Sequence, residues 1–344
     1  MTLFICLICS GLLIFLLYAA YPYSLGEKIE KMKLDSAPAG ETPSVINVVT
    51  WNMAFAYGDG SEGNGYEFKE KSFFLHKLDR IAEVLRKEEA DLVFLQEVDF
   101  DSARSHHMDQ LSYLSLKTGL KYFSPIVSWK VNYVPFPYWP VSKQFGSMRS
   151  GGGVLSRFAI TNSTHYLLEK PASKPWWYNL FYLYRYFQIL NVAIGEKSYQ
   201  VINVHLEAFD QKNRESQTKK LHEILKKDSS IQLVVGDFNT TPLNALKKSG
   251  FSNPNDDYEN DSSLLFMKNT SFKEVIAPET YAQNEESFFT FPSNIPDRKL
   301  DHIFYQKPWT LLKAYVIKEG LSDLSDHLPL KAQFKVKDPE FIRD

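Results

Sequence analysis

Eight polar residues stand at or beside the polar ends of short apolar runs. Asn52 ends VVTWN, Glu97 ends VFLQE and His205 ends VINVH. Asp237 and Asn239 end LVVGDFN, Asp301 opens LDHIFY, and Asp326 and His327 fall in SDHLPL. A strand end is where a rigid sheet can hold a side chain at the rim of a pocket. The set is rich in Asp, Glu, Asn and His and poor in Lys. Such oxygen ligands suit a hard divalent cation, Mg²⁺, with Mn²⁺ or Ca²⁺ as alternatives. A cation held by one or two carboxylates keeps its other positions open for water and phosphate oxygens.

The elements that must position these residues are legible in outline. VINVVTWN, DLVFLQEVD and IQLVVGDFN have the length and composition of strands, and GGGVLSRFAI near 151–160 is strand-like. Residues 187–194 and 199–205 alternate about Gly195-Glu196-Lys197, which predicts a hairpin. Leu75, Leu78, Ala82 and Leu85 share one face of a helix expected over 73–88. A Lys-rich helix fits 213–227, and late strands fit 302–305, 311–317 and 330–334. Many strands with few helices is an α+β pattern, best met by two sheets packed face to face with helices outside. The polar stretch 252–262 reads as a surface loop. The Gly-rich, acidic loop within 51–68 has no following Gly-Lys-Ser/Thr and is not a phosphate-binding P-loop.

The 344 residues are 44% hydrophobic and carry a formal net charge of -2, so the basic excess of a generic nucleic-acid binder is missing. The only cysteines, Cys6 and Cys9, lie in an N-terminal apolar run, which leaves the rest without a disulfide or a thiolate metal site. No charged residue precedes Glu27, and Leu3–Ala20 has about the length of a bilayer span. Residues 1–23 are therefore expected to be a transmembrane anchor or a signal peptide, 24–44 a linker, and 45–344 the catalytic domain. Lys28, Lys31 and Lys33 follow the run, which by the positive-inside rule keeps the domain cytoplasmic. A signal peptide reverses that orientation, and the extracytoplasmic side is slightly favoured.

The ordered set WN, QE, NVH, GDFN, LDHIF and SDH resembles the endonuclease/exonuclease/phosphatase superfamily. Its members include DNase I-like nucleases, abasic-site endonucleases, inositol-phosphate 5-phosphatases and neutral sphingomyelinases. The likeness runs from about Val45 to Phe334. It implies a DNase I-like four-layered α/β sandwich with the site at one end. It makes Glu97 the principal metal ligand, with Asn52 beside it and Asp326 as a second metal-associated acid. His327 is similar to the histidine that activates water, and Asp301 to the acid that orients it. Asp237 and Asn239 match the pair around the scissile phosphate, and His205 the histidine on its other side. Whether the histidine or the Asp237-type acid takes the water proton stays open. The roles are chemically sound. An acid beside His327 would fix its tautomer and raise its basicity, and Asn239 can donate to phosphate without adding negative charge.

Two segments bear on the substrate. Residues 110–168 hold Lys117, Lys121, Lys130, Lys143, Arg149 and Arg157, many aromatic residues and no acid. Such a surface suits either bases stacking in a nucleic-acid groove or a lipid interface. The run WWYNLFYLYRYF, residues 176–187, is either core or an adhesive patch. With the apolar N-terminus and near-neutral charge, these features favour a lipid phosphodiester, in a monomer nearest in character to neutral sphingomyelinases. A membrane-attached nuclease is the alternative, and a catalytically inactive binding module the minor one.

Overall fold

The structure, a computed structural model, describes residues 2–21, 28–33, 43–58, 67–253 and 256–336. Its helices are α1 (Thr2–Ala19), α2 (Lys71–Lys87), α3 (Gln110–Thr118), α4 (Trp176–Phe181), α5 (Gln211–Lys227) and α6 (Pro278–Gln283). One sheet contains β1 (Lys28–Lys33), β6 (Ala159–Leu167), β7 (Tyr186–Ile194), β8 (Lys197–His205), β9 (Ile231–Asp237), β10 (Lys273–Glu274) and β11 (Asp301–Tyr305). The other contains β2 (Ile46–Asn52), β3 (Leu92–Asp99), β4 (Tyr122–Val134), β5 (Gly146–Ser156), β12 (Trp309–Val316) and β13 (Leu330–Val336).

The strand orders are β1-β6-β7-β8-β9-β11-β10 and β12-β13-β2-β3-β5-β4. Among the described residues each sheet has one parallel pair at its centre, β8 with β9 and β2 with β3, and each of these four strands carries a candidate site residue within two positions of its end. The main apolar core lies between the sheets, built from residues such as Val48, Leu92, Phe94, Val201 and Val235. Phe74, Leu78, Ile81 and Leu85 of α2 join it from the far side of the second sheet. A separate cluster, including Leu221 and Leu225, seats α5 on the outer face of the first. Helix, sheet, sheet, helix is the expected four-layered sandwich.

A polar seam crosses the otherwise apolar interface. Gln96 Nε2 donates to Asn203 Oδ1 at 2.8 Å, and Asn203 Nδ2 donates to the Leu95 carbonyl at 3.2 Å. Buried polar groups must find partners, and these can find them only in one relative placement of β3 and β8. Each residue lies within two positions of a candidate site side chain, Glu97 or His205, so the seam registers the two halves of the site.

Several expectations shift. Residues 28–33, within the stretch read as linker, form β1, paired antiparallel with Asn162–Leu167 of β6; most of that stretch, and 59–66 of the Gly-rich loop, lie outside the described residues. The aromatic run divides in two: Trp176 and Trp177 are exposed on α4, while Tyr182 and Arg185–Phe187 are buried. The transmembrane span is not supported, since among the described residues no helix is long and apolar enough to cross a membrane. α1 has 18 residues, about 27 Å, against a hydrocarbon core of about 30 Å. Its last turn is also taken up by the domain, where Ala19 and Ala20 are buried.

Candidate active site

All eight candidate residues meet where the central strands of both sheets end. Asp237, at the end of β9, occupies the middle. Its Oδ2 accepts a hydrogen bond from Asn52 Nδ2 at 3.0 Å and from Asn239 Nδ2 at 3.3 Å, and its Oδ1 accepts from the Asn239 N–H at 2.8 Å. His205 Nε2 lies 3.6 Å from Asp237 and 3.8 Å from Glu97. His327 Nε2 stands 3.9 Å from Asp237, while its Nδ1 meets Asp301 Oδ2 at 2.9 Å. Glu97 and Asp326 face the adjoining cavity.

The backbone is shaped for this convergence. Glu97 has φ 54° and sits at a bulge in the β3–β5 ladder, so its side chain leaves the strand's alternation and turns toward the site. Gly236, with φ 146°, precedes Asp237; a Cβ there would come within 2.0 Å of the Val204 carbonyl oxygen. Gly152 makes room for the Tyr186 hydroxyl, which a Cβ would meet at 1.8 Å. His327 is fixed from three directions. Its carbonyl accepts from Trp51 Nε1 at 2.9 Å, its N–H donates to Ser325 Oγ at 3.1 Å, and Phe291 packs on its ring.

Crowding four carboxylates and two imidazoles out of water sets the electrostatics. Burial pushes Asp237 up to about 6, although His327 pulls the other way. Burial likewise lifts Asp326 to about 6, opposed by His327 and reinforced by Glu97. Glu97 is raised by burial against the pull of Arg185. Burial also disfavours the charged His327 ring, but the Asp301 and Asp237 carboxylates outweigh it and lift that ring to about 10. His205 is held well below an ordinary imidazole by burial and then by the Arg185 charge. The two histidines therefore differ at neutral pH, His327 an imidazolium and His205 neutral.

The donor set fits a divalent cation. Asp237, Asp301 and His327 offer ligand atoms all within 4.8 Å of one another. Asp301 Oδ1 is buried without a hydrogen-bond partner, which is costly unless something positive approaches it. Glu97 and Asp326 add carboxylates on the cavity side. Asn52 is a weaker ligand than expected, because its Oδ1 already accepts the Ala54 N–H at 3.0 Å. The Asn239 amide is committed as well, donating to the Leu206 carbonyl at 2.9 Å and to Asp237.

Arg185, absent from the sequence-derived set, is buried at the centre of the site. Its Nη1 donates to His205 Nε2, and its Nε lies 3.7 Å from Glu207 Oε2. Tyr182 donates to the other Glu207 oxygen at 2.8 Å. Burial disfavours the guanidinium charge, but Tyr182, Glu207 and Glu97 outweigh this and raise its pKa. The available signal was a lone cation in the run WWYNLFYLYRYF, too costly to bury without a purpose. Replacing Arg185 with Met should lower stability by about 3–5 kcal/mol, because the Glu207 charge, though still hydrogen-bonded by Tyr182, is then buried without its counter-charge. Urea denaturation of this variant and of Arg185→Met/Glu207→Gln checks this: the second change should recover part of the loss, and simple additivity of the two changes would rule out the coupling.

The chain matches the family described as Endonuclease/Exonuclease/phosphatase over residues 49–327. Among solved structures, it is similar to an endonuclease/exonuclease/phosphatase from Beutenbergia cavernae, with 17% identity and a TM-score of 0.60 over 86% of this chain and 72% of that one. It is similar to the mannosyl-6-phosphatase of Bacteroides thetaiotaomicron, with 16% identity and a TM-score of 0.56 over 84% and 99%. A humanized D. rerio TDP2 follows, with 16% identity and a TM-score of 0.54 over 85% and 100%. No curated protein matches by sequence. At these identities the structures establish the fold, and the family match extends over most of the domain. The protein is a phosphoester hydrolase and belongs to the endonuclease/exonuclease/phosphatase family.

Proposed function

We propose that the protein is a Mg²⁺-dependent phosphodiesterase that cleaves the phosphodiester of a lipid head group, in the manner of a sphingomyelinase or phospholipase C. The observation that carries the lipid reading is the cavity above the site. It measures about 590 Å³, has Glu97 and Asp326 on its lining, and is otherwise walled largely by aromatic and aliphatic side chains, among them Phe55, Trp129, Phe145 and Phe181. Among the described residues Arg104 is the only Lys or Arg in its lining. That guanidinium is engaged by Asp99 at 3.1 Å and stacks 3.7 Å above the Phe55 ring. An apolar chamber next to a phosphoester site suits an alcohol with a hydrocarbon body. It is a poor place for the further phosphates of a nucleic acid, which require cations.

The basic span that favoured a nuclease does not supply them. None of its six Lys and Arg residues lines the cavity, and two are paired elsewhere, Lys117 with Asp79 at 2.8 Å and Arg157 with Asp91 at 3.0 Å.

When bound by Glu97 and Asp326 with the Asp237–Asp301 group, the metal supplies charge neutralisation at the phosphoryl oxygens. The chain's residues do the rest. Asp301 holds Nδ1 of His327 and so aims Nε2 toward Asp237. The carboxylate and ring together hold a proton where one must leave an attacking water or reach a departing oxygen. Arg185 brings positive charge to the opposite side of Asp237 through His205. The aromatic walls seat the leaving alcohol and exclude water. A screen of the full chain with Mg²⁺ against sphingomyelin, phosphoinositides and plasmid DNA tests the reading. Release of a phosphorylated head group is expected, whereas nicking of DNA with no lipid turnover would replace it with the nuclease.

A further inference from the structure

The exposed apolar side chains are not spread evenly. Phe136, Tyr138 and Phe209 line the cavity and are 37%, 55% and 73% exposed. Trp139 follows Tyr138 directly and is 80% exposed. Trp176 and Trp177, 67% and 47% exposed, precede the lining residue Tyr178. Three separate segments, the β4–β5 loop, α4 and the loop after β8, therefore crown one opening with large apolar groups. A soluble surface does not concentrate such groups without a partner.

α1 is tied to the same rim. The Asn132 side chain donates to the Tyr18 carbonyl at 3.0 Å, the Asn132 N–H donates to the Tyr21 carbonyl at 3.1 Å, and Phe15 packs edge-on against Tyr133. The next residue, Val134, lines the cavity. At about 100° per residue, Phe4, Ile5, Leu13 and Ile14 point in four directions around α1, and all are 51–68% exposed. A helix made for a protein groove has one apolar face and a polar back. α1 has no polar back, so the hydrocarbon of a lipid leaflet suits its free length better than a protein groove. Charge agrees with this choice: the crown's main loop, residues 135–145, carries Lys143 and no acid, as lipid phosphates require.

From this geometry we propose that the crown and α1 form one lipid-docking surface, which sets the mouth of the active-site cavity against a bilayer. The proposal deepens the lipid reading above and rests on it. Trp and Tyr rings at the mouth sit at head-group level, and the substrate's hydrocarbon body passes from bilayer to cavity without crossing water.

Tryptophan fluorescence tests this in the full chain. Of the six tryptophans, Trp51, Trp129 and Trp309 are buried and Trp139, Trp176 and Trp177 are exposed. Vesicles of brominated phosphatidylcholine with phosphatidylserine should quench about half of the emission, since interfacial tryptophans reach the labelled chains. The Trp139→Phe/Trp176→Phe/Trp177→Phe variant should co-sediment with vesicles yet show almost no quenching. No co-sedimentation, binding without quenching, or undiminished quenching in the triple variant would each overturn the proposal. Turnover of sphingomyelin and of soluble bis(p-nitrophenyl) phosphate, measured alongside, separates the two readings. Quenching without lipid turnover keeps the surface and removes the lipid substrate; lipid turnover in detergent micelles without quenching does the reverse.

Discussion

Replacement of His327 by alanine is expected to lower kcat by about 10²–10⁴-fold, the scale associated with a positioned proton-transfer group. The residue has no spare role to absorb the loss. Its ring bridges Asp301 at 2.9 Å and Asp237 at 3.9 Å, and the imidazolium is the positive charge that those two buried acids share. Alanine removes both the proton carrier and the neutralising charge. Affinity for a non-hydrolysable phosphodiester should change far less, because the cavity walls and the carboxylate metal ligands are untouched. Steady-state kinetics on a small soluble phosphodiester checks this without lipid complications, and a variant with near-wild-type kcat would remove His327 from the chemistry. Asp301→Asn should reproduce part of the defect. It keeps the shape and withdraws the carboxylate that holds Nδ1.

Removal of divalent metal should be at least as damaging. EDTA is expected to abolish turnover and excess Mg²⁺ to restore it, with full activity in metal-free buffer counting against the assignment. A second readout does not depend on catalysis. Glu97, Asp237, Asp301 and Asp326 crowd one pocket, and a cation that binds only the folded state stabilises it by about 2.7 kcal/mol at a hundred times its dissociation constant. The melting temperature should therefore climb with Mg²⁺. Glu97→Gln should remove most of that climb while leaving the metal-free melting temperature no lower, since it deletes one of four mutually repelling acids. A Glu97→Gln protein that responds to Mg²⁺ like the wild type would place the ion elsewhere.

The sequence alone determined the layers and the identity of the polar strand ends. Both follow from local physics. Apolar runs such as LVFLQE and LVVGD must be buried, a run of strand length can be buried only in a sheet, and its polar end marks where the sheet meets the pocket. It is the same logic that made α2 and α5 readable to within two residues of their observed limits, Lys71–Lys87 and Gln211–Lys227. Tertiary structure decided the functions that depend on neighbours distant in sequence. Asn52 and Asn239 are amides well suited to metal or phosphate. In the folded chain their hydrogen bonds hold Asp237 in place, because the Ala54 N–H and the Leu206 carbonyl lie within reach. His205 is held neutral by burial and then by the charge of Arg185, which arrives from the segment just before β7. WWYNLFYLYRYF divides between crown and core because α4 ends at Phe181 and β7 begins at Tyr186. Hydrophobicity, the quantity the sequence reports, is identical for a ring that faces solvent and a ring that faces its own protein; only the packing of other segments around it assigns the side.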